Sequence, residues 1–201
     1  MSVLNHRVLG LILGLAFCSC GWTAGQVVAT NSNLPNFHQI GPVFYRGAQP
    51  TELGIQSLAR QGVKAIINLR AADEKSTNEE HWARSAGLRY FNVPLKGHSR
   101  PTDGQVQEIL SLIAAATNQP VFLHCKLGKD RTGTIVACYR IAHDQWTGDK
   151  ALAEAKSLRL GWTEIGMKRY IQDFYTRRLE LSKKAIASEG AKEQLKPSTV
   201  R

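Results

Sequence analysis

Cysteine is scarce in this 201-residue chain: there are four, and two of them, Cys18 and Cys20, fall within the first twenty positions. That excludes a small scaffold stapled by disulfides. No apolar run reaches the roughly 20 residues that a membrane-crossing helix needs. Acidic residues are also few, 16 Asp and Glu against 26 Lys and Arg, which gives a formal charge of +10 and a surface that attracts polyanions. Zinc-ligand spacing, an aromatic RNA-binding motif and a long basic arm are all missing, so nucleic acid is not the expected partner. Without an internal repeat, solenoid architectures are excluded as well.

What is present begins with a leader. Residues His6 and Arg7 precede the apolar stretch Val8 to Phe17, and Trp22 to Gly25 ends in small residues, the pattern of a secretory signal. Residues 1–25 are therefore expected to direct export to the periplasm or beyond. An uncleaved anchor, or lipid attachment at Cys18 or Cys20, is the alternative that would bring the chain to a membrane. Cleavage after Gly25 leaves Cys125 and Cys138. An unpaired thiol exported into an oxidising compartment calls for a chemical reason.

The remainder has the composition and length of one globular domain, 43% hydrophobic and 21% charged. Residues 26–36 read as a linker, 37–184 as the domain and 185–201 as a basic, disordered tail. From Arg177 to the C-terminus seven Lys or Arg outnumber three Glu. Within the domain, short β-like runs alternate with helical stretches. Val43 to Tyr45, Lys64 to Leu69, Arg89 to Val93 and Val121 to Leu123 are predicted strands. A helix opening at Pro50-Thr51 closes at Gly62, another runs from Ser76 to Ala86, and Thr102-x-x-Gln105 is a capping box ahead of Val106, Ile109 and Ile113. Helices from Arg131, over Lys150 to Leu158 and from Thr163 to about Lys184 complete the pattern. Its fold class is α/β: a single domain with a central, largely parallel sheet flanked by helices.

The stretch His-Cys-Lys-Leu-Gly-Lys-Asp-Arg-Thr-Gly, His124 to Gly133, follows the strand Val121 to Leu123 and opens a helix. Five residues curling between a strand end and a helix start turn successive backbone N–H groups inward, and the helix N-terminus deepens the resulting anion site. Lys126, Leu127, Gly128 and Lys129 supply that loop. Gly128 permits backbone angles that a side chain forbids, and the planar fork of Arg131 matches two phosphate oxygens. Cys125 lies at the floor, where the same dipoles favour a nucleophilic thiolate.

This stretch resembles the signature of the cysteine-dependent protein tyrosine and dual-specificity phosphatases, Cys-x5-Arg followed by Thr or Ser. Tyr45 to Pro50, Ile67 to Arg70 and Ala137 to Arg140 are similar to landmarks of the compact dual-specificity-like branch found in bacteria, fungi and plants. The resemblance spans roughly residues 37 to 175. It implies a protein-tyrosine-phosphatase-like fold and a two-step displacement without metal or cofactor. In it, Cys125 attacks phosphorus, Arg131 and the loop amides hold the equatorial oxygens, and water releases phosphate. It also implies that Thr132 directs its hydroxyl toward the sulfur and that His124 braces the loop from behind.

The resemblance fails at one place. Family members usually carry a general-acid Asp on a loop some thirty residues before the cysteine, yet Val93 to Pro101 contains no carboxylate. Asp103 sits beside the capping Thr102 in the first turn of a helix, where an acid suits the macrodipole in any case. Asp130, immediately before Arg131, matches the placement of the acid in some branches of the superfamily and is the expected proton donor. An ion pair with Arg131 or Lys129 is its bland alternative, and His98 is a third candidate.

Lys126 and Lys129 favour substrates bearing several phosphates, such as phosphoinositides or inositol polyphosphates, or else bias the field toward any anion, phosphotyrosine included. The expected partner is thus a phosphorylated protein or a polyphosphorylated small molecule or lipid, met by a monomer. Two other readings stay open: a rhodanese-like sulfurtransferase and a non-catalytic phosphate-binding pseudophosphatase. A Walker nucleotide loop is excluded, because Leu123 stands where the first Gly belongs and Asp130 follows Gly128-Lys129.

Overall fold

A computed structural model describes residues 32 to 194, with side-chain surroundings through residue 188. The expected export signal and most of the linker ahead of the domain lie outside the described residues. Five strands form one sheet in the order β1-β2-β5-β3-β4, with β1 (His38–Gly41), β2 (Phe44–Ala48), β3 (Ala65–Asn68), β4 (Arg89–Asn92) and β5 (Val121–Cys125). Only the β1–β2 pair is antiparallel; β2–β5, β5–β3 and β3–β4 are parallel, as the alternation of strand and helix predicts.

Adjacent residues on a strand point to opposite faces, and the two central strands use this fully. Ile66 and Phe122 face α1 (Glu52–Arg60) and α2 (Glu74–Ser85), packing with Ile55, Leu58 and Ala83. Ile67, Val121 and Leu123 face α3 (Asp103–Ala114) and α4 (Asp130–Ala142), packing with Val106, Ile109, Ile113 and Ile135. Burying each such side chain contributes about 1.5–3 kcal/mol. A third cluster, Ala137, Ile141, Ala151, Ala155, Met167 and Ile171, joins α4 to α5 (Gly148–Ser157) and α6 (Ile165–Gln194). α4 is therefore covered on every side and buried along most of its length.

Local signals account for the boundaries. Thr51 and Thr102 cap α1 and α3 through their hydroxyls, the latter in the expected capping box. Asp73 caps α2, which starts at Glu74, two residues ahead of the expected Ser76. Gly62 and Gly87 follow helix ends at φ 84° and 77°, where side chains are disfavoured.

Three features differ from the expectation. The strand β1 lies at the start of the predicted domain, ahead of Val43, where no element was assigned, because its four residues HQIG carry a single buried apolar side chain, Ile40. The domain also begins earlier than residue 37. Leu34 is buried in the core, and the carbonyls of Asn33 and Pro35 accept hydrogen bonds from the Thr51 and Ala48 amides at 3.1 and 2.8 Å. At the other end α6 continues to Gln194, so the first part of the basic tail is helical rather than disordered.

Candidate active site

Cys125 ends the central strand β5, flanked on both sides by parallel neighbours, at the carboxyl edge of the sheet where open α/β folds place their ligands. Five residues later α4 begins. Its N-cap, Lys129, makes no side-chain capping bond, so the first amides of α4 stay open to an anion. Cys125 itself is 3% exposed, at the bottom of the loop.

The loop's three successive carbonyls are all held by residues outside the cup. That of Lys126 accepts from the Gln49 amide at 3.4 Å. Those of Leu127 and Gly128 accept from Asn36 Nδ2 at 3.2 and 2.9 Å, and Gly128 also accepts from Arg46 Nη2. With the carbonyls drawn outward, the peptide N–H groups are left to line the interior, as an anion nest requires. Gly128 sits at φ 64°, and a Cβ there would lie 2.4 Å from the Gly47 carbonyl carbon, so glycine is required on both counts.

Arg46 is fully buried under this loop; Nε and Nη1 have no hydrogen-bond partner among the described residues. Burial drives its guanidinium down to about 10, against the upward pull of nearby Cys125 and Glu154. The guanidinium is near enough to Cys125 for the two to interact electrostatically.

His124 is buried as well. Its Nδ1 is 3.3 Å from the Cys125 carbonyl, and its Nε2 lies 2.6 Å from Oε1 of the equally buried Glu79, a close contact without the alignment of a hydrogen bond. The other Glu79 oxygen accepts from Gln49 Nε2 and, at 3.1 Å, from Asn68 Nδ2, which also reaches Tyr90 Oη at 2.8 Å. Gln49 in turn accepts from Arg70 Nη1 at 2.7 Å. His124 is therefore one end of a polar network that runs behind the loop through β3, β4 and α2.

Arg131 is half-buried. Its Nη1 donates to the carbonyls of Leu69 and Leu95 at 3.1 and 3.4 Å, which anchors one edge of the fork and leaves Nε and Nη2 without a described partner. Thr132 Oγ1 is buried with no hydrogen-bond partner among the described residues. Lys126 and Leu127 are exposed at the loop's crest, whereas Lys129 is half-buried.

The acid candidates separate clearly. Asp103 lies on the α6 side, accepting from Tyr170 Oη and Arg177 Nη2, both at 2.8 Å. Asp130 is at the rim, with Oδ1 accepting from the Gly161 amide at 2.7 Å rather than pairing with Arg131 or Lys129. His98 stands out on the loop between Leu95 and Pro101; its Nδ1 is 2.7 Å from Oε1 of Glu164.

Sequence reasoning assigned no role to Arg46, Asn36, Glu79 or Glu164. Arg46 had a visible signal, a lone charge within the run Val43 to Ala48. Glu79 had none, for it is one of several acids on α2 and differs from its neighbours only in being buried.

A family model described as "DSP-PTPase phosphatase fused to NAD+ Kinase" matches residues 26–173. The dual specificity protein phosphatase TpbA of Pseudomonas aeruginosa is 32% identical over 154 residues, covering 76% of this chain and 67% of that protein. Inositol diphosphatase DSP5 of Arabidopsis thaliana is 28% identical over 151 residues, 73% of this chain and 72% of that one. Among solved structures, a cysteine-to-serine variant of P. aeruginosa TpbA in complex with pTyr has a TM-score of 0.61 at 27% identity, covering 73% of this chain and 90% of that one. The core catalytic domain of the PP-IP phosphatase SIW14 from S. cerevisiae, in complex with citrate, reaches 0.64 at 21% identity, over 79% of this chain and 94% of that one. At that identity the likeness is one of fold.

Proposed function

The chain belongs to the DSP-PTPase family of cysteine-dependent phosphatases, and from that premise we propose that it hydrolyses phosphorylated proteins or inositol polyphosphates through a cysteinyl-phosphate on Cys125. It is a phosphoric monoester hydrolase. The observation that carries the mechanism is the outward hold on the carbonyls of Lys126, Leu127 and Gly128, which leaves a nest of N–H groups above Cys125.

In the first step the Cys125 sulfur attacks phosphorus in line with the leaving oxygen, while the free edge of Arg131 and the loop amides hold the three equatorial oxygens. The leaving oxygen needs a proton, and Asp130 and His98 are the two rim groups able to supply it. In the second step water attacks the phosphocysteine and the thiolate departs. The buried, unpartnered hydroxyl of Thr132, next to Arg131, is suited to stabilising that thiolate.

Lys126 and Lys129 support a preference for substrates with several phosphates. The test is a panel of phosphotyrosine peptides, phosphoinositides and inositol polyphosphates, with Cys125→Ser as blank. Replacing both lysines by alanine is expected to reduce turnover of the polyphosphates more than that of the monophosphates; a uniform loss overturns the preference. Export of a monomer, free or held at a membrane by its leader, completes the proposal and rests on the pattern of the first 25 residues. Fractionation and gel filtration of the expressed chain check both.

A further inference from the structure

Building on the phosphatase reading, we propose that His98, held by Glu164, delivers the proton to the leaving oxygen, and that Asp130 positions the pair. Glu164 is a buried carboxylate whose side chain has one hydrogen-bond partner among the described residues, Nδ1 of His98 at 2.7 Å. The imidazole it holds is the opposite: the His98 side chain is 88% exposed. An ionised carboxylate can only accept, so Nδ1 carries the hydrogen of that bond, and the transferable proton of the charged ring sits on Nε2, which has no described partner. A buried acid spent entirely on orienting one exposed imidazole is what a proton-transfer pair requires.

Two contacts bring the pair to the cup. Three residues before His98, the Leu95 carbonyl accepts from Arg131 Nη1 at 3.4 Å, so the loop bearing the imidazole is fastened to the phosphate-binding guanidinium. From the other side, Asp130 Oδ1 holds the Gly161 amide at 2.7 Å. A Cβ on Gly161 would be 3.2 Å from Asp130 Oδ1 and 3.3 Å from Glu164 Cγ, which puts the two carboxylate side chains side by side. Asp130 thereby orders the turn that carries Glu164, and Glu164 orders His98.

Glu164 is the charged group in contact with the imidazole; the other charged residues of its own loop are Lys96 and Arg100, the latter turned to Asp173. From α4 come Asp130 and Arg131. From α6 comes Lys168, whose ammonium binds the Trp162 carbonyl. The proton balance closes over both steps. As the S–P bond forms and the P–O bond breaks, Nε2 gives its proton to the departing oxygen; the neutral ring then takes a proton from the attacking water, and the S–P bond breaks to return the thiolate.

The test measures cysteine phosphorylation in the full chain at single turnover, with phenyl phosphate as a poor leaving group and 2,4-dinitrophenyl phosphate as a good one. His98→Gln is expected to slow the phenyl ester by about 100-fold and the dinitrophenyl ester far less, and to remove the alkaline limb of the kcat/KM profile. Asp130→Asn should cost less and keep that limb. Glu164→Gln should shift the limb, and because Glu164 is buried its thermal unfolding is checked alongside; the exposed His98 variant stands as a test without it. Equal losses of His98→Gln on the two esters, no loss on the phenyl ester, or disappearance of the limb in Asp130→Asn alone each overturns the assignment. Failure of the wild type to exceed Cys125→Ser on either ester would instead sink the phosphatase reading itself.

Discussion

Gly128 presses its α-carbon onto the backbone of Gly47: a Cβ at position 128 would lie 2.4 Å from both the carbonyl carbon and oxygen of Gly47 and 2.6 Å from the Ala48 nitrogen. β2 and the Cys125–Arg131 loop are in contact here with no side chain between them. Phe122 closes the other side of Gly47, its ring within 2.8 Å of where a Cβ there would stand.

Gly128→Ala should therefore be costly twice over, through its positive φ and through the clash. A loss of about 2–3 kcal/mol is expected, which lowers Tm by roughly 5–10 °C in a chain of this size. Turnover should fall with it, since the loop amides cannot hold their places. Calorimetry and kcat/KM on one preparation check this, and a variant matching wild type in both would contradict the packing described.

Arg46→Met separates stability from activity. The guanidinium is buried with two nitrogens unpaired among the described residues, so an apolar side chain of similar length should leave stability within about 1–2 kcal/mol of wild type. The Gly128 carbonyl keeps its bond from Asn36 but loses Arg46, so kcat/KM should drop about tenfold or more. Arg46→Lys should recover part of it. Unchanged kcat/KM in Arg46→Met would show that Asn36 alone holds the loop.

Behind the loop, Glu79→Ala takes away the carboxylate facing His124 Nε2 and removes the acceptor for Gln49 and Asn68. Truncating one member of so buried a pair costs about 3–5 kcal/mol. Urea unfolding reports this directly; a midpoint unmoved from wild type would mean that the network carries no net stability.

Alkaline pH should unfold the protein through buried groups that do not line the cup. Burial pushes the Cys138 thiol and the Tyr90 and Tyr170 hydroxyls above their ordinary values of 9.0 and 10.0. In each case the native state keeps its proton longer, so stability is full below about pH 9 and is lost as pH rises through and beyond that point. Arg46, held down to about 10, works in the opposite sense above that pH. Tm measured under reducing conditions should fall steeply from about pH 9, and less steeply in Cys138→Ala. A flat profile in wild type would disprove the assignment.

How much of this was legible beforehand follows the range of the interactions. The Cys125 to Arg131 loop, the strand before it, the helix after it and the Thr102 capping box are local, and each was readable from spacing alone. The residues that aim the loop were not, because Asn36, Arg46 and Gln49 reach it from 77 to 92 positions away. Glu164 meets His98 across 66 positions, so neither residue announces the pair. Both ends of the domain were drawn short for a related reason. Leu34 sits in a polar stretch that does not look like core, and the charged sequence after Lys184 has no apolar face to mark it as helix.

Asn33, Leu34 and Asn36 stitch the incoming strap successively to α1, to the core and to the crest of the catalytic loop. Tension applied ahead of residue 33 would reach the cup within a few peptide bonds, and trimming to Phe37 would cut the leash that keeps the Leu127 and Gly128 carbonyls facing away from the bound phosphate.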